Sequence, residues 1–243
     1  MTPEEDFSEP ESPPQPPPEV PAELPTELPS ATLNEALVKY GAPLPPEVAE
    51  RVDQYVRALW AMNEKLNLTR HTDYDKFVAR DLIDSMALAG LIKPGEEVLD
   101  LGTGGGVPGI LIAILRPDVQ VSLSDSVAKK ASAVQDIVAE LDLPIAVYHA
   151  RGEEVLDDFR FDSVVCRAVA PLKKLLTWLE PHWLSVNKLL AIKGTKWVEE
   201  RNEARHLGMA KKVEIRKVHE YETPGNDHPS VILKVWAKGR KEP

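Results

Sequence analysis

The sequence predicts an α/β fold in which a mostly parallel sheet is covered by helices on both faces. Strand-like and helix-like segments alternate from about residue 97 onward, and this alternation is typical of parallel sheets. A glycine-rich stretch follows the first predicted strand, and the last two predicted strands have no helix between them. The turn at 224–227 should therefore join these two strands in a terminal antiparallel hairpin.

Each element follows from a local pattern, because short apolar runs predict strands and an apolar period of three to four residues predicts helices. Seven strands are predicted, at 97–101, 119–123, 145–148, 162–166, 188–192, 213–219 and 231–236. Helices are predicted at 45–66 and 75–91, and then at 109–115, 128–141, 172–183 and 197–207.

The same patterns divide the chain into three parts. Residues 1–30 are rich in Pro and Glu and cannot bury enough apolar surface to offset chain entropy, so they should be a disordered tail. Residues 31–92 should form an N-terminal helical extension, and residues 93–243 should form the core that contains the sheet.

Composition limits the classes of function. The net charge is −10, but residues 1–30 contain eight acidic and no basic residues, which leaves −2 for the rest. Basic surface is therefore available for nucleic acid, although charge alone does not identify such a partner. The single cysteine excludes a disulfide framework, and no stretch approaches the roughly 20 apolar residues of a membrane helix. Since the N-terminus also lacks a secretory signal pattern, we expect a cytoplasmic protein that does not bind membranes.

The chemistry is expected at the carboxyl ends of the strands, where doubly wound sheets bind their ligands. The first predicted strand ends at Asp100 and leads into the loop 102–109, which contains five glycines. Glycines such as Gly102 and Gly104 adopt backbone angles closed to other residues and let a ligand approach the main chain. The dinucleotide fingerprint fails when taken from Gly102, because its third glycine falls on Val107; taken from Gly104 it reaches Gly109, but with an unusual Pro108 before it, so the loop alone also permits an NAD enzyme. A carboxylate at Asp100 suits the amino group of S-adenosylmethionine, and NAD has no such group.

Three further strand ends supply candidate site residues. Asp125 follows the second strand, where it can accept hydrogen bonds from a ribose or cap the next helix. Gly152 and Glu153 follow the third strand, where adenine would lie, although acidic residues there also suit the start of a helix. Arg167 ends the fourth strand over the predicted crevice, next to Cys166, which we interpret as a buried strand residue.

Several motifs together resemble the bacterial glucose-inhibited division protein B family, the guanine-N7 methyltransferases of small-subunit ribosomal RNA. The motifs, in chain order, are Asn67-Leu68-Thr69 with Asn63 upstream, Asp84-Ser85, the loop from Asp100 to Gly109, Asp125-Ser126 with Lys129-Lys130, Arg167-Ala168-Val169-Ala170 and Lys193-Gly194. The resemblance spans about residues 55–195. It departs from the family's usual residues at Asp81, Val107 and Ala133.

The resemblance implies a class I methyltransferase fold, which is Rossmann-like, and a monomer that methylates 16S ribosomal RNA of the small subunit. It implies that S-adenosylmethionine is bound at Gly102, Val107, Gly152, Glu153 and Arg167. Contacts with RNA are expected from Asn67, Arg80 and Lys193, the last two to phosphate.

The implied reaction needs no general base, because N7 of guanine has a free lone pair and no proton. Catalysis should then come from orientation and from electrostatics, without catalytic side chains. The histidines lack the spacing of metal ligands, so no metal is predicted. Two alternatives stay open at this point, an NAD(P)-dependent oxidoreductase and a non-catalytic RNA-binding or assembly protein on a methyltransferase fold.

Overall fold

The structure, a computed structural model, describes residues 28–243, so that most of the predicted disordered tail lies outside the described residues. Seven strands form one sheet, as predicted, and their ends shift by at most two residues. The strands are β1 (Glu97–Leu101), β2 (Gln120–Ser124), β3 (Ala146–Tyr148), β4 (Phe161–Arg167), β5 (Val186–Lys193), β6 (Val213–Tyr221) and β7 (Ser230–Ala237).

The strand order is β3-β2-β1-β4-β5-β7-β6. Strands β1 to β5 pair in parallel, and β7 is antiparallel to both β5 and β6, which confirms the predicted hairpin. The chain leaves β1 toward β2 on one side and reaches β4 on the other. A crevice therefore opens between the carboxyl ends of β1 and β4, where such sheets bind ligands.

Helices cover both faces of the sheet. They are α1 (Leu33–Lys39), α2 (Pro46–Asn63), α3 (Tyr74–Lys76), α4 (Ile83–Ala89), α5 (Gly109–Leu115), α6 (Ala128–Glu140), α7 (Gly152–Asp158), α8 (Leu172–Leu179) and α9 (Trp197–His206). Val98 of β1 packs into one apolar cluster with α1, α2, α4, α5 and α6, whereas Leu99 packs into another with α7, α8 and α9. Alternate strand residues thus point to opposite, fully covered faces.

The N-terminal segment is helical as predicted, but its second predicted helix is not uniform. Between α3 and α4 the backbone forms a π-helical segment over Phe77–Leu82. Helix α1 was not predicted, although Thr32 caps its start and Glu35 bonds the chain just before it. The Thr32 hydroxyl accepts from the Glu35 N–H at 3.2 Å, and the Glu35 carboxylate accepts from Ala31 N–H at 2.8 Å. Ser30, assigned above to the tail, donates to Asp75.

Two helices of the core also differ from the prediction. The sequence offered the start of a helix only as an alternative role for the residues at Gly152 and Glu153. The structure contains this helix, α7. The helix predicted at 172–183 ends at Leu179 and continues as a 3₁₀ turn over Glu180–His182. Pro181 explains this end, because proline has no backbone N–H with which to continue the α-helical hydrogen bonds. None of the helices within residues 28–243 is long and apolar enough to cross a membrane.

Candidate active site

Two neighbouring cavities of about 270 and 250 Å³ open at the carboxyl ends of β1, β2 and β4, and Gly102 lines both. The larger cavity is also lined by Leu59, Leu68, Thr69, His71, Arg80, Thr103, Gly104, Gly105, Val107, Arg167 and Ala168. The smaller cavity is also lined by Leu101, Ser124, Asp125, Ser126, Ala150, Arg151, Gly152, Glu153, Val169 and Trp178. Of the eight predicted cofactor residues, all except Asp100 line one of these cavities.

The glycine loop after β1 separates the two cavities, and its backbone requires glycine. Gly102 and Gly104 have φ angles of 70° and 61°, in the left-handed region that other residues rarely adopt. The N–H groups of Gly102 and Thr103 both donate to Ser124 O, at 2.9 and 3.0 Å, which fixes the loop against β2. A Cβ atom at Gly102 would lie 3.0 Å from a methyl carbon of Val169. The loop therefore presents bare backbone where the cavities meet.

Asp100 lies beneath the loop and braces it. Its Oδ2 atom accepts hydrogen bonds from the Thr103 hydroxyl at 2.6 Å and from Gly109 N–H at 2.9 Å. Its Oδ1 atom is buried and has no hydrogen-bond partner among the described residues. Burial raises the pKa of Asp100 from 3.8 to about 6, despite the bonds to Thr103 and Gly109. Asp100 thus holds the loop with one oxygen and leaves the other unsatisfied.

Asp125 links the loop to the helix after β2. Its Oδ2 atom accepts from Gly104 N–H at 3.0 Å, and its Oδ1 atom accepts from Val127 N–H at 2.8 Å. The capping alternative is not realised, because the N-cap residue of α6 is Val127 and no side chain caps this helix; Asp125 instead braces the turn that leads into it. Both oxygens of a carboxylate can accept further bonds, and Asp125 lines the smaller cavity, so a ribose contact stays a prediction.

The start of α7 forms the far wall of the smaller cavity. A Cβ atom at Gly152 would lie only 2.7 Å from Leu101 Cδ1, so a side chain there would displace the end of β1. Glu153 lines the same cavity beside it. The absence of a side chain at Gly152 lets α7 approach β1 closely and sets the width of the cavity.

Arg167 lies at the centre of an ion-pair network over the larger cavity. It donates to Asp81 Oδ1 at 2.6 Å and to Asp84 Oδ2 at 3.2 Å. His71 Nδ1 also contacts Asp81 Oδ1, at 2.9 Å, and the Tyr221 hydroxyl donates to Asp84 Oδ1 at 2.7 Å. Burial lowers the pKa of Arg167, but the two carboxylates outweigh burial and raise it above its ordinary value. The guanidinium is therefore permanently charged and fixed in orientation.

The three residues expected to contact RNA lie in different places. Arg80 lines the larger cavity, and its Nη1 atom is buried with no hydrogen-bond partner in residues 28–243. Asn67 is exposed and lies outside the cavity linings, although Leu68 and Thr69 line the larger one.

Lys193 does not reach a surface where it could contact phosphate. Its side chain is only 9% exposed, and its ammonium pairs with Glu200 at 2.8 Å and donates to Ala170 O at 2.7 Å. The structure gives Lys193 a role in joining the loop after β4 to α9, in place of the expected phosphate contact. One carboxylate and one backbone carbonyl thus hold the ammonium, and little of the side chain is exposed to solvent.

The sequence analysis missed several residues that shape the site. The buried Tyr55 hydroxyl of α2 donates to Gly105 O at 2.9 Å, and the His71 and Tyr221 side chains complete the network around Arg167. These residues come from distant parts of the chain, and no local pattern marks them. Cys166 is buried, and burial raises its pKa to about 12, so its thiol is not a nucleophile at neutral pH.

Comparison with known proteins decides the family. The sequence model of the family described as rRNA small subunit methyltransferase G (GidB) matches residues 48–230. The chain belongs to this family. A relative named ribosomal RNA small subunit methyltransferase G from Rhodopirellula baltica is 52% identical over 191 residues, which cover 79% of this chain and 83% of the relative. A second relative of the same name, from an Anaeromyxobacter species, is 34% identical over 80% of this chain and 91% of the relative.

Solved structures agree with the fold of this rRNA methyltransferase family. M. capricolum TrmK, solved in complex with S-adenosylhomocysteine, superposes with a TM-score of 0.51 at 15% identity, covering 64% of this chain and 68% of TrmK. WbdD superposes with a TM-score of 0.52 at 17% identity, covering 73% of this chain and 46% of WbdD. At these identities the likeness shows the fold alone, which is that of class I methyltransferases.

Proposed function

We propose that this member of the family transfers a methyl group from S-adenosylmethionine to N7 of a guanine in 16S ribosomal RNA. The observation that supports this most directly is the pair of cavities that meet at Gly102, at the point where the strand order reverses. S-adenosylmethionine has two chemically different ends, a nucleoside and an amino acid, and the two cavities differ in the same way. Membership in the rRNA methyltransferase family supports the RNA substrate.

The smaller cavity suits the nucleoside end. Asp125 can accept hydrogen bonds from ribose hydroxyls, and Gly152 with Glu153 provides a bare backbone and an acceptor beside the adenine. The larger cavity suits the amino acid end. Two buried atoms without hydrogen-bond partners among residues 28–243, one cationic and one anionic, lie in its lining and behind the glycine loop, respectively. Asp100 Oδ1 is anionic and Arg80 Nη1 is cationic, and neither has a hydrogen-bond partner within the described part of the chain. The amino acid end of S-adenosylmethionine is a zwitterion, so its ammonium suits the anionic atom and its carboxylate suits the cationic one.

The residues of the site orient the reactants and need not move a proton. S-adenosylmethionine supplies an electrophilic methyl group when it is bound. N7 of guanine carries no proton, so the chain requires no base, and Arg167 stays charged throughout because its pKa is raised. Its fixed guanidinium and the glycine loop can hold base and cofactor in line, and such alignment is worth several kcal/mol, about 7–11 in the best cases. Leu59 and Leu68 add apolar surface to the larger cavity, beside its polar lining.

Family membership argues against the NAD(P)-dependent oxidoreductase considered from the sequence. The division into a tail at 1–30, a helical segment at 31–92 and a cofactor-binding core at 93–243 is also proposed, and the monomeric state and cytoplasmic location stay predictions from the resemblance.

Calorimetric titration with S-adenosylmethionine and with NADH tests the cofactor. We expect binding of the first alone, and loss of that binding in Gly102→Leu, because the new side chain would enter both cavities. Circular dichroism of the variant checks that it folds. Binding of NADH by the native protein would overturn the proposal.

Radiolabel transfer tests the reaction. Small subunits that lack the modification are incubated with protein and labelled cofactor, and N7-methylguanine is located by strand cleavage at the modified base. Label at one guanine of 16S RNA is the expected result. A protein that binds cofactor and small subunits but transfers no label would be a non-catalytic assembly factor instead.

A further inference from the structure

Arg80 is a cation without an anion in the larger cavity. Its side chain lines the cavity, and it makes no hydrogen bond or ion pair with any residue in the described range 28–243. One of its terminal nitrogens, Nη1, is fully buried. A buried charged donor without a partner is costly, and such atoms commonly await a ligand. Arg80 therefore requires an anion that reaches inside the cavity.

The nearby carboxylates do not bond Arg80: both oxygens of Asp84 are engaged elsewhere, and Asp81 uses Oδ1 for its contacts while its Oδ2 is buried without a partner among the described residues. Asp84 uses one oxygen for Tyr221 and the other for Arg167, and Asp81 contacts both Arg167 and His71. The site thus contains one arginine that is held by protein carboxylates and a second arginine that is not.

The backbone explains why Arg80 faces the cavity. It lies in the π-helical segment Phe77–Leu82, where the wider turn changes the direction of side chains relative to an α-helix. Arg80 therefore shares the larger cavity with Gly104 and Gly105 of the glycine loop. The anion that completes this site must lie beside the loop backbone.

Burial distinguishes two kinds of anion. Arg80 as a whole is half-buried, so a phosphate of the RNA backbone, which is bulky and stays near solvent, would meet its exposed part and not the enclosed Nη1. A carboxylate at the end of a thin, flexible chain can enter the cavity. There it can form a charge-assisted, bidentate contact with a guanidinium. The ligand proposed for this site carries such a carboxylate at its methionine end.

We propose that Arg80 binds the carboxylate of the methionine part of S-adenosylmethionine, and is not a phosphate contact. This inference rests on the proposed function. Arg80 is then a cofactor-specificity residue, which distinguishes S-adenosylmethionine and its product from analogues that lack the carboxylate.

The test is a titration of the full chain with two probes, S-adenosylhomocysteine and its decarboxylated analogue S-adenosyl-3-thiopropylamine. Native protein should bind the first about 10- to 100-fold more tightly, the range for a charged hydrogen bond. Arg80→Met should lose this preference, with weakened binding of S-adenosylhomocysteine and unchanged binding of the analogue. Arg70→Met, an exposed arginine outside the cavity lining, should keep the native preference.

Each other outcome has a distinct meaning. Equal binding of the two probes by native protein would overturn the inference without any variant, so a failure of Arg80→Met to fold does not block the test. An Arg80→Met protein that keeps its preference but binds small subunits more weakly would identify Arg80 as an RNA contact and overturn the inference. Failure of native protein to bind S-adenosylhomocysteine at all would instead overturn the proposed function.

Discussion

Asp100 has a buried carboxyl group whose ionisation affects the stability of the fold. Its carboxyl is almost completely buried, with one oxygen unsatisfied, and burial raises its pKa from 3.8 to about 6. A raised pKa means that the folded protein holds the proton more tightly than the unfolded chain does. The resulting stability is fully present below about pH 4 and is lost as the pH rises through about 6. Near neutral pH the charged form therefore destabilises the empty protein.

Replacing Asp100 with Asn should stabilise the empty protein at about pH 7, by up to about 3 kcal/mol, because the amide keeps an acceptor for the loop and removes the buried charge. The gain should shrink toward zero as the pH falls through about 4, since below that pH the native carboxyl is protonated in both the folded and the unfolded state. Urea unfolding of both proteins across this range measures the difference. On the proposed function, the same variant should also bind S-adenosylmethionine more weakly, since it lacks the carboxylate proposed to face the amino group of the cofactor.

The exposed Asp136 of α6 provides the control for this substitution. Asp136→Asn should change the free energy of unfolding by less than about 0.5 kcal/mol at any pH, as surface substitutions usually do. A difference between Asp100→Asn and native protein that did not vary with pH would show that the carboxyl is not responsible.

At the scale of elements, α2 supports the glycine loop from outside the sheet. Tyr55 is fully buried and donates to Gly105 O at 2.9 Å. Leu59, one turn later, occupies the space at Gly105, where a Cβ atom would lie 2.9 Å from Leu59 Cδ1. A helix of the N-terminal segment and a loop of the core thus form one wall together.

Tyr55→Phe should weaken cofactor binding while the fold persists. The variant loses one hydrogen bond of about 0.5–1.5 kcal/mol and leaves Gly105 O unsatisfied, so we expect affinity for S-adenosylmethionine to fall roughly 3- to 10-fold. Calorimetry measures the affinity, and thermal unfolding shows how much of the loss is global. Tyr40→Phe, at a half-buried tyrosine away from the loop, should match native protein in both measurements. An unchanged affinity in Tyr55→Phe would exclude this bracing role.

The elements also show which features a sequence can predict. Strands β1 and β2 were predicted nearly to the residue, because a run buried on both faces leaves an apolar pattern that glycine or polar residues interrupt. The glycine loop was predicted for the same reason, since its backbone angles exclude most other residues. The π-helical segment was not predicted, because its hydrogen bonds leave no periodic mark over six residues. The network around Arg167 was not predicted either, since residues far apart in the chain meet there only after folding.

At the scale of the whole molecule, the boundary at residue 92 does not separate two cores. One apolar cluster includes Leu33 and Leu59 from the N-terminal segment together with Val98 of β1 and Leu111 of α5. Because a domain needs an apolar core of its own, the segment 31–92 and the sheet should unfold as one unit. The larger cavity spans the same junction, since Leu59 and Leu68 line it together with the glycine loop, so the proposed cofactor site draws on both parts of the chain.

The acidic N-terminal segment accounts for most of the net negative charge of the whole molecule. Residues 1–27 contain all eight acidic residues of the N-terminal stretch, so their removal changes the net charge from −10 to −2. An acidic segment of an RNA-binding protein repels the phosphates of the RNA and competes with them for the basic surface of the protein. We therefore expect a chain that lacks residues 1–27 to bind an unrelated RNA more tightly, by several-fold at about 50 mM salt and by much less at about 200 mM.

Fluorescence anisotropy with a labelled RNA of unrelated sequence measures this effect, and the affinity for S-adenosylmethionine should not change. A full-length control in which Gln replaces the eight acidic residues separates charge from length. It should bind RNA as the shortened chain does, since both lack the same charge. If the shortened chain alone bound more tightly, excluded volume of the segment would be the cause and the electrostatic account would fail. Equal binding by all three proteins would show that the basic surface lies beyond the reach of the tail.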